Sequence, residues 1–316
     1  MSWSKPETQQ IRRALREYAP QVADAPIAFL AEGWEFWAFT AGEYVLRFPK
    51  DESGLTWLLG TKGNFQTLRL EQALLPELSS RVSTRVPKVE FVGEHGPNGA
   101  PFAAHRILPG EVLITSGRRP SANFGKDIGR FINELHSFPV RRAIELGVPL
   151  LEGAALREQR AAHYEDVIRR LFPLVSCEAR TQIEAVYEAN LNNVANFEFE
   201  PCLVHQDLDC NTLIDAAGDL CGVIDFGDAV VSNPALDFWL PLFGFGRLGL
   251  EDQLGACLQA AGVDERRLQA MRPEVEFLDF RFPLLDILHG VDISDDTFVE
   301  EGIRALNASL PSNIRC

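Results

Sequence analysis

Residues 202–238 read CLVHQDLDCNTLIDAAGDLCGVIDFGDAVVSNPALDF, and they decide how the rest of the chain is read. Two aspartates, Asp207 and Asp225, each follow a short apolar run: Cys202-Leu203-Val204 before the first, Leu220 to Ile224 before the second. Between them, Thr212-Leu213-Ile214 and the turn Asp215-Ala216-Ala217-Gly218-Asp219 read as the rest of a small hairpin. Strands bounded by turns can hold two carboxylates at one end of a rigid frame. Phosphoryl transfer from a nucleotide needs that arrangement, with one carboxylate to orient and deprotonate a hydroxyl and another to hold Mg²⁺.

The whole chain is compatible with such chemistry. Its 316 residues suffice for two lobes with separate cores. A hydrophobic share of 46% with 24% charged residues marks a globular chain and excludes a disordered one. No apolar run approaches the roughly 20 residues that span a bilayer, and the N-terminus lacks the apolar core of a secretory signal. A soluble, cytoplasmic protein without a membrane partner is the expectation. The net charge of −15 disfavours nucleic acid and suits a small cationic ligand. Six scattered cysteines without a Cys-x-x-Cys pair argue against a disulfide framework and a zinc site.

Upstream, Pro6 to Tyr18 reads as an amphipathic helix. Strand-like runs follow at Ile27 to Leu30, Phe36 to Phe39 and Tyr44 to Pro49, with turns at Glu32-Gly33-Trp34 and Gly42-Glu43. Asn64 to Leu78 is a helix with Leu68, Leu74, Leu75 and Leu78 as its buried stripe, and Glu71 lies near that face. Val86 to Val92 and Pro101 to Leu108 are further strands. From Ala122 the pattern turns helical: Phe124 to Phe138, Gly153 to Phe172, Cys177 to Ala195, then a tail broken at Gly244-Phe245-Gly246 and around Gly262.

The pattern His205-x-Asp207-Leu208, then Asn211, then Ile224-Asp225-Phe226-Gly227-Asp228-Ala229, then Asn233-Pro234-Ala235-Leu236-Asp237-Phe238 resembles the aminoglycoside phosphotransferase and choline-kinase-like family. Within it, Asp-Phe-Gly-Asp-Ala is most similar to the aminoglycoside 2″-phosphotransferases. The resemblance implies an α+β, protein-kinase-like fold with two lobes: a small antiparallel-sheet lobe, residues 1–106, and a larger mainly helical lobe, residues 107–316. It implies a monomeric, Mg²⁺-dependent enzyme that moves the γ-phosphoryl group of ATP or GTP to a hydroxyl of a small cationic substrate, with antibiotic resistance as the outcome.

Carried over residue by residue, the resemblance makes Asp207 the catalytic base and Asp225 a metal ligand. His205 and Asp237 brace the loop. Asp228 faces the acceptor; apart from the resemblance, acidic residues of the helical tail, Glu274 and Asp279 among them, are further candidates to bind a cationic acceptor. Arg47 stands where related kinases place a phosphate-binding lysine, and Glu71 is placed to pair with it. Arg106, Ile107 and Leu108 form the hinge beside the purine, and Leu213 and Ile224 complete the nucleotide site. One departure concerns the second metal ligand: relatives carry Asn five residues after the base, whereas here Asn211 is four residues on and Thr212 is fifth. Either Asn211 reaches the metal from a shorter loop, or Thr212 occupies that place. A kinase of another hydroxylated molecule (a macrolide, a choline-like amine, a sugar) and a nucleotide-binding pseudokinase are the alternatives.

Overall fold

A computed structural model describes residues 3–50, 64–96 and 98–309. The last residues of the expected tail, 310–316, and Pro97 of the Gly93–Gly99 loop lie outside this description.

Five strands, β1 (Ile27–Glu32), β2 (Phe36–Ala41), β3 (Tyr44–Pro49), β4 (Val89–His95) and β5 (Ala100–Arg106), form one antiparallel sheet in the order β1-β2-β3-β5-β4. The alternation of the middle strands explains the placement. On β3, Tyr44, Leu46 and Phe48 are buried while Val45 and Arg47 point to the other face. The first helix, Thr8–Tyr18, lays Ile11, Ala14 and Leu15 on the apolar face, where Phe39, Phe48 and Phe102 complete a compact core. Arg47 therefore projects away from that core, toward the Asn64–Leu78 helix.

That helix belongs to two regions at once. Leu68 packs with Phe36 and Ala103 of the sheet. Leu70, Leu74, Leu75 and Leu78 join the largest core, with Phe124, Ile128 and Phe131 of the Phe124–His136 helix and with Phe226. Glu71, between these contacts, is carried to the junction.

The remainder is mainly helical, as the periodicity indicates: Gly153–Arg170, Cys177–Asn192, Glu265–Ile293 and Asp296–Ser309 are its longer helices. Two features differ from expectation. Gly244-Phe245-Gly246 does not break the tail; a π-turn over Leu240–Gly244 runs straight into Phe245–Leu248, and the break falls at Gly249, whose φ of 67° ends the helix. The decisive stretch also divides between two small sheets. β7 (Cys202–Val204) pairs with β10 (Val230–Ser232), whereas β8 (Thr212–Ile214) pairs with β9 (Leu220–Val223) and β6 (Glu111–Val112). The expected hairpin is β8–β9. No helix among the described residues is long and apolar enough to cross a membrane, and the five described cysteines are free.

Candidate active site

The loop after β7 is held from behind. Asp237, 1% exposed, accepts the backbone N–H of His205 at 2.9 Å and of Gln206 at 2.8 Å, and its second oxygen lies 2.9 Å from His136 Nε2. Asp237 thus acts by accepting from the loop amides, while Asn233 supplies the cap of its turn. The His205 ring is wholly buried; Nε2 donates to the Ile224 carbonyl at 2.9 Å, and Nδ1 accepts from the Asp207 N–H at 3.2 Å. Burial pushes its pKa down against the pull of Asp237. A neutral ring with both nitrogens in use ties the Asp207 loop to the residue before Asp225, as the bracing role requires.

Gln206, just before Asp207, has φ 75°, a left-handed backbone that costs a residue with a Cβ about 1–3 kcal/mol. The Asp237 carboxylate and the bond from Gln206 Nε2 to the Asp228 carbonyl, 2.7 Å, hold it there.

Asp207 opens the four-residue helix Leu208–Asn211. Asn211 Nδ2 donates to the Asp207 carbonyl at 2.9 Å and to Asp207 Oδ2 at 2.7 Å. Thr212 is wholly buried at the start of β8, and its hydroxyl donates to the Leu208 carbonyl at 2.6 Å. Asn211, not Thr212, is therefore the side chain that shares the Asp207 surroundings. Burial raises the Asp207 pKa well above the usual carboxylate value, and the charges of Asp209 and Asp228 add to the effect.

Asp225, φ 59°, is the second non-glycine residue held left-handed at this site. Its Oδ1 accepts from Arg47 Nη2 at 2.7 Å and from the Gly227 N–H at 3.4 Å. The other arm of Arg47, Nη1, meets Glu71 Oε1 and Oε2 at 2.7 and 2.9 Å, and the Phe36 ring lies 4.4 Å from the guanidinium carbon. Glu71 also accepts the Phe226 N–H at 3.1 Å. One guanidinium thus links the sheet, the Asn64–Leu78 helix and the Asp225 turn. Enclosure alone would raise the Asp225 carboxyl, but Arg47, aided by the Gly227 amide, holds it below its ordinary value. Glu71 has no exposure; burial outweighs Arg47 and, with the charge of Asp225, pushes it up to about 7.

At the expected hinge, two backbone amides are already engaged. The Arg106 N–H donates to the Lys88 carbonyl at 3.1 Å and the Ile107 N–H to the Glu43 carbonyl at 2.9 Å, so neither amide is available to a purine. The Arg106 side chain pairs with Glu43 and Glu90. Leu108 and Leu213 converge on Gly222, where an added Cβ would lie 3.2 and 3.4 Å from their methyl carbons. Ile224 is half-buried beside Asp225.

The acidic acceptor candidates separate. Asp228 stays at the site, close enough to Asp207 to raise it. Glu274 is 3% exposed and its carboxylate is paired with buried Arg160, which also donates to Asn190 Oδ1 at 3.0 Å. An internal cation thus replaces the external one expected for it. Asp279 accepts from Trp239 Nε1 and from Arg247 Nη2, both at 2.9 Å, and the Arg247 guanidinium stacks on the Trp239 ring. Its charge is already matched. Arg160, Arg247 and the pairing of His136 with Asp237 carried no sequence signal, because their partners lie far along the chain.

Residues 26–273 match the model of a phosphotransferase enzyme family, and the chain belongs to that family. Among curated proteins, an uncharacterized protein of Bacillus subtilis (strain 168), YcbJ, is 23% identical over 217 residues, which is 66% of this chain and 69% of that one. Among solved structures, the GDP and kanamycin complex of APH(2″)-IIIa superposes with a TM-score of 0.79 at 24% identity, covering 94% of this chain and 97% of the other. A type I macrolide 2′-phosphotransferase gives 0.68 at 18% identity, covering 97% and 98%. The fold is thus the kinase-like fold of these enzymes, with the five-stranded sheet as its smaller part.

Proposed function

We propose that this chain is a Mg²⁺-dependent small-molecule O-phosphotransferase, with residues 1–106 forming the nucleotide lobe and residues 107–316 the catalytic and acceptor lobe. The observation that carries the reading is the Glu71–Arg47–Asp225 chain, which fixes a permanently charged, fork-shaped donor beside a half-exposed carboxylate. Arginine suits this place because it pairs bidentately with phosphate oxygens and does not deprotonate.

The donor set fits magnesium. The bonds that Asp225 accepts from described residues fall on Oδ1, which leaves Oδ2 of a half-exposed carboxylate for a ligand; Asn211 turns its NH₂ to Asp207, which leaves its carbonyl oxygen. Hard oxygen ligands in small number are what Mg²⁺ takes when substrate phosphates complete its shell. Bound there, the ion would neutralise charge on the phosphate oxygens. Arg47 holds the nucleotide phosphates. Asp207 accepts the hydroxyl proton as the acceptor oxygen bonds to the γ-phosphorus and the bond to the departing nucleoside diphosphate breaks. The raised proton affinity of Asp207 favours that transfer. Asn211 keeps Asp207 turned to the substrate.

An aminoglycoside, at its 2″-hydroxyl, is the first acceptor to test, with ATP or GTP as donor and Asp228 meeting an acceptor amine or hydroxyl. A phosphate adds about −1.5 to −2 charges to a ligand that binds RNA through its cationic groups, so resistance in the cytoplasm would be the outcome. A less cationic acceptor such as a macrolide is the second reading, favoured because Glu274 and Asp279 already carry Arg160 and Arg247. The test is phosphorus NMR of product with each nucleotide against a panel of aminoglycosides, macrolides, amines and sugars. Transfer to an aminoglycoside supports the first reading and transfer to a macrolide the second. Nucleotide binding without transfer to any acceptor would make the chain a pseudokinase.

A further inference from the structure

The turn that joins β1 to β2 reaches a helix near the C-terminal part of the chain. Gly33 N–H closes it on the Phe36 carbonyl at 2.9 Å, and the next residue, Trp34, stacks on His289 with ring centroids 4.1 Å apart and planes 13° apart. His289 lies near the end of the Glu265–Ile293 helix, 4% exposed, with Phe298 of the final helix edge-on to it at 5.6 Å. The two helices meet tightly beside it: a Cβ on Gly290 would come within 2.8 Å of Phe298 Cβ and 2.9 Å of the Val299 nitrogen. The His289 ring therefore stands on a fixed base.

The other half of the contact is tied to the strand of Arg47. Glu32, at the start of the turn, accepts from Lys50 Nζ at 2.7 Å, three residues beyond Arg47. The sheet thus reaches the C-terminal part of the chain through Arg47 to Asp225 and through the turn residue Trp34 to His289. We infer that Trp34 and His289 form a clasp across the nucleotide cleft, whose rings part to admit or release nucleotide and close again over it. This rests on the phosphotransferase reading.

Stopped-flow release of N-methylanthraniloyl-labelled ADP and GDP tests the clasp in Trp34→Ala, His289→Ala, the double variant and His289→Phe. A stacked ring pair of ordinary strength makes release about threefold to tenfold faster in each alanine variant. The double variant should match either single one, and His289→Phe, which keeps a ring, should stay near the unaltered protein. Release rates unchanged in His289→Ala at unchanged melting temperature, or effects that multiply in the double variant, overturn the clasp alone. Should the unaltered protein bind neither nucleotide, the phosphotransferase reading and the clasp fall together.

Discussion

Replacing Glu71 by Gln should separate folding from function. The carboxylate has no exposure, and its pKa is pushed up to about 7 from 4.5. At pH above 7 the ionised carboxylate therefore carries a net burial cost in the folded state. Glutamine avoids that cost but forfeits charge-assisted hydrogen bonds with Arg47, worth about 1.5–3 kcal/mol. Burial and pairing act in opposite directions, so urea unfolding at pH 8 should place the variant within about 2 kcal/mol of the unaltered protein. The sign follows from the raised folded-state value. The contribution of Glu71 is fully present below about pH 4.5 and is lost as pH rises through 7, so the variant gains relative stability over that window. Turnover should still fall by about 10–100-fold, the rate equivalent of the lost bonds, because Arg47 keeps only Asp225 to direct it. A stability difference that does not change with pH, or undiminished turnover, would refute the reasoning.

Asp207→Ala should lower turnover by about 10²–10⁴-fold in the phosphorus NMR assay, with little change in melting temperature. Asn211→Ala should cost about 10–100-fold in turnover, whereas Thr212→Val should cost about 1 kcal/mol of stability and leave turnover near normal, since its hydroxyl only serves Leu208. His95, packed against Phe48 and Phe102, is pushed down to about 4 by burial. Its folded value lies below the unfolded one, so stability drops as pH falls from 6.5 toward 4; the loss is about 2 kcal/mol at pH 5. Calorimetry at pH 7.5 and 5.0 should show a smaller drop for His95→Leu.

Local signals were readable wherever one element sufficed. The resemblance placed Arg47 at the position of the kinases' lysine, and helical spacing put Glu71 beside the Leu74–Leu75 stripe; the two then met as expected. The sequence left Asn211 and Thr212 open because a one-residue difference in a loop has no periodicity; the short helix after Asp207 brings Asn211 against Asp207 and turns the Thr212 hydroxyl to Leu208. Glu274 and Asp279 looked available because a sequence displays charges and hides their partners: Arg160 is 114 residues from the first and Arg247 is 32 from the second. The engagement of the Arg106 and Ile107 amides was hidden for a similar reason, since their acceptors, Lys88 and Glu43, stand on other segments.

The Asp237 carboxylate has a consequence for how the protein acquires activity. It joins residue 136 to residues 205, 206 and 237, a closure spanning 101 positions. Until that loop closes, Gln206 lacks the carboxylate that accepts its backbone amide in the left-handed state, and the Asp207 loop is held only in part. A chain emerging from the ribosome could complete its sheet early and remain inert until residue 237 is released and docked. During refolding, nucleotide turnover should therefore return with the slowest phase of long-range closure rather than with helix formation.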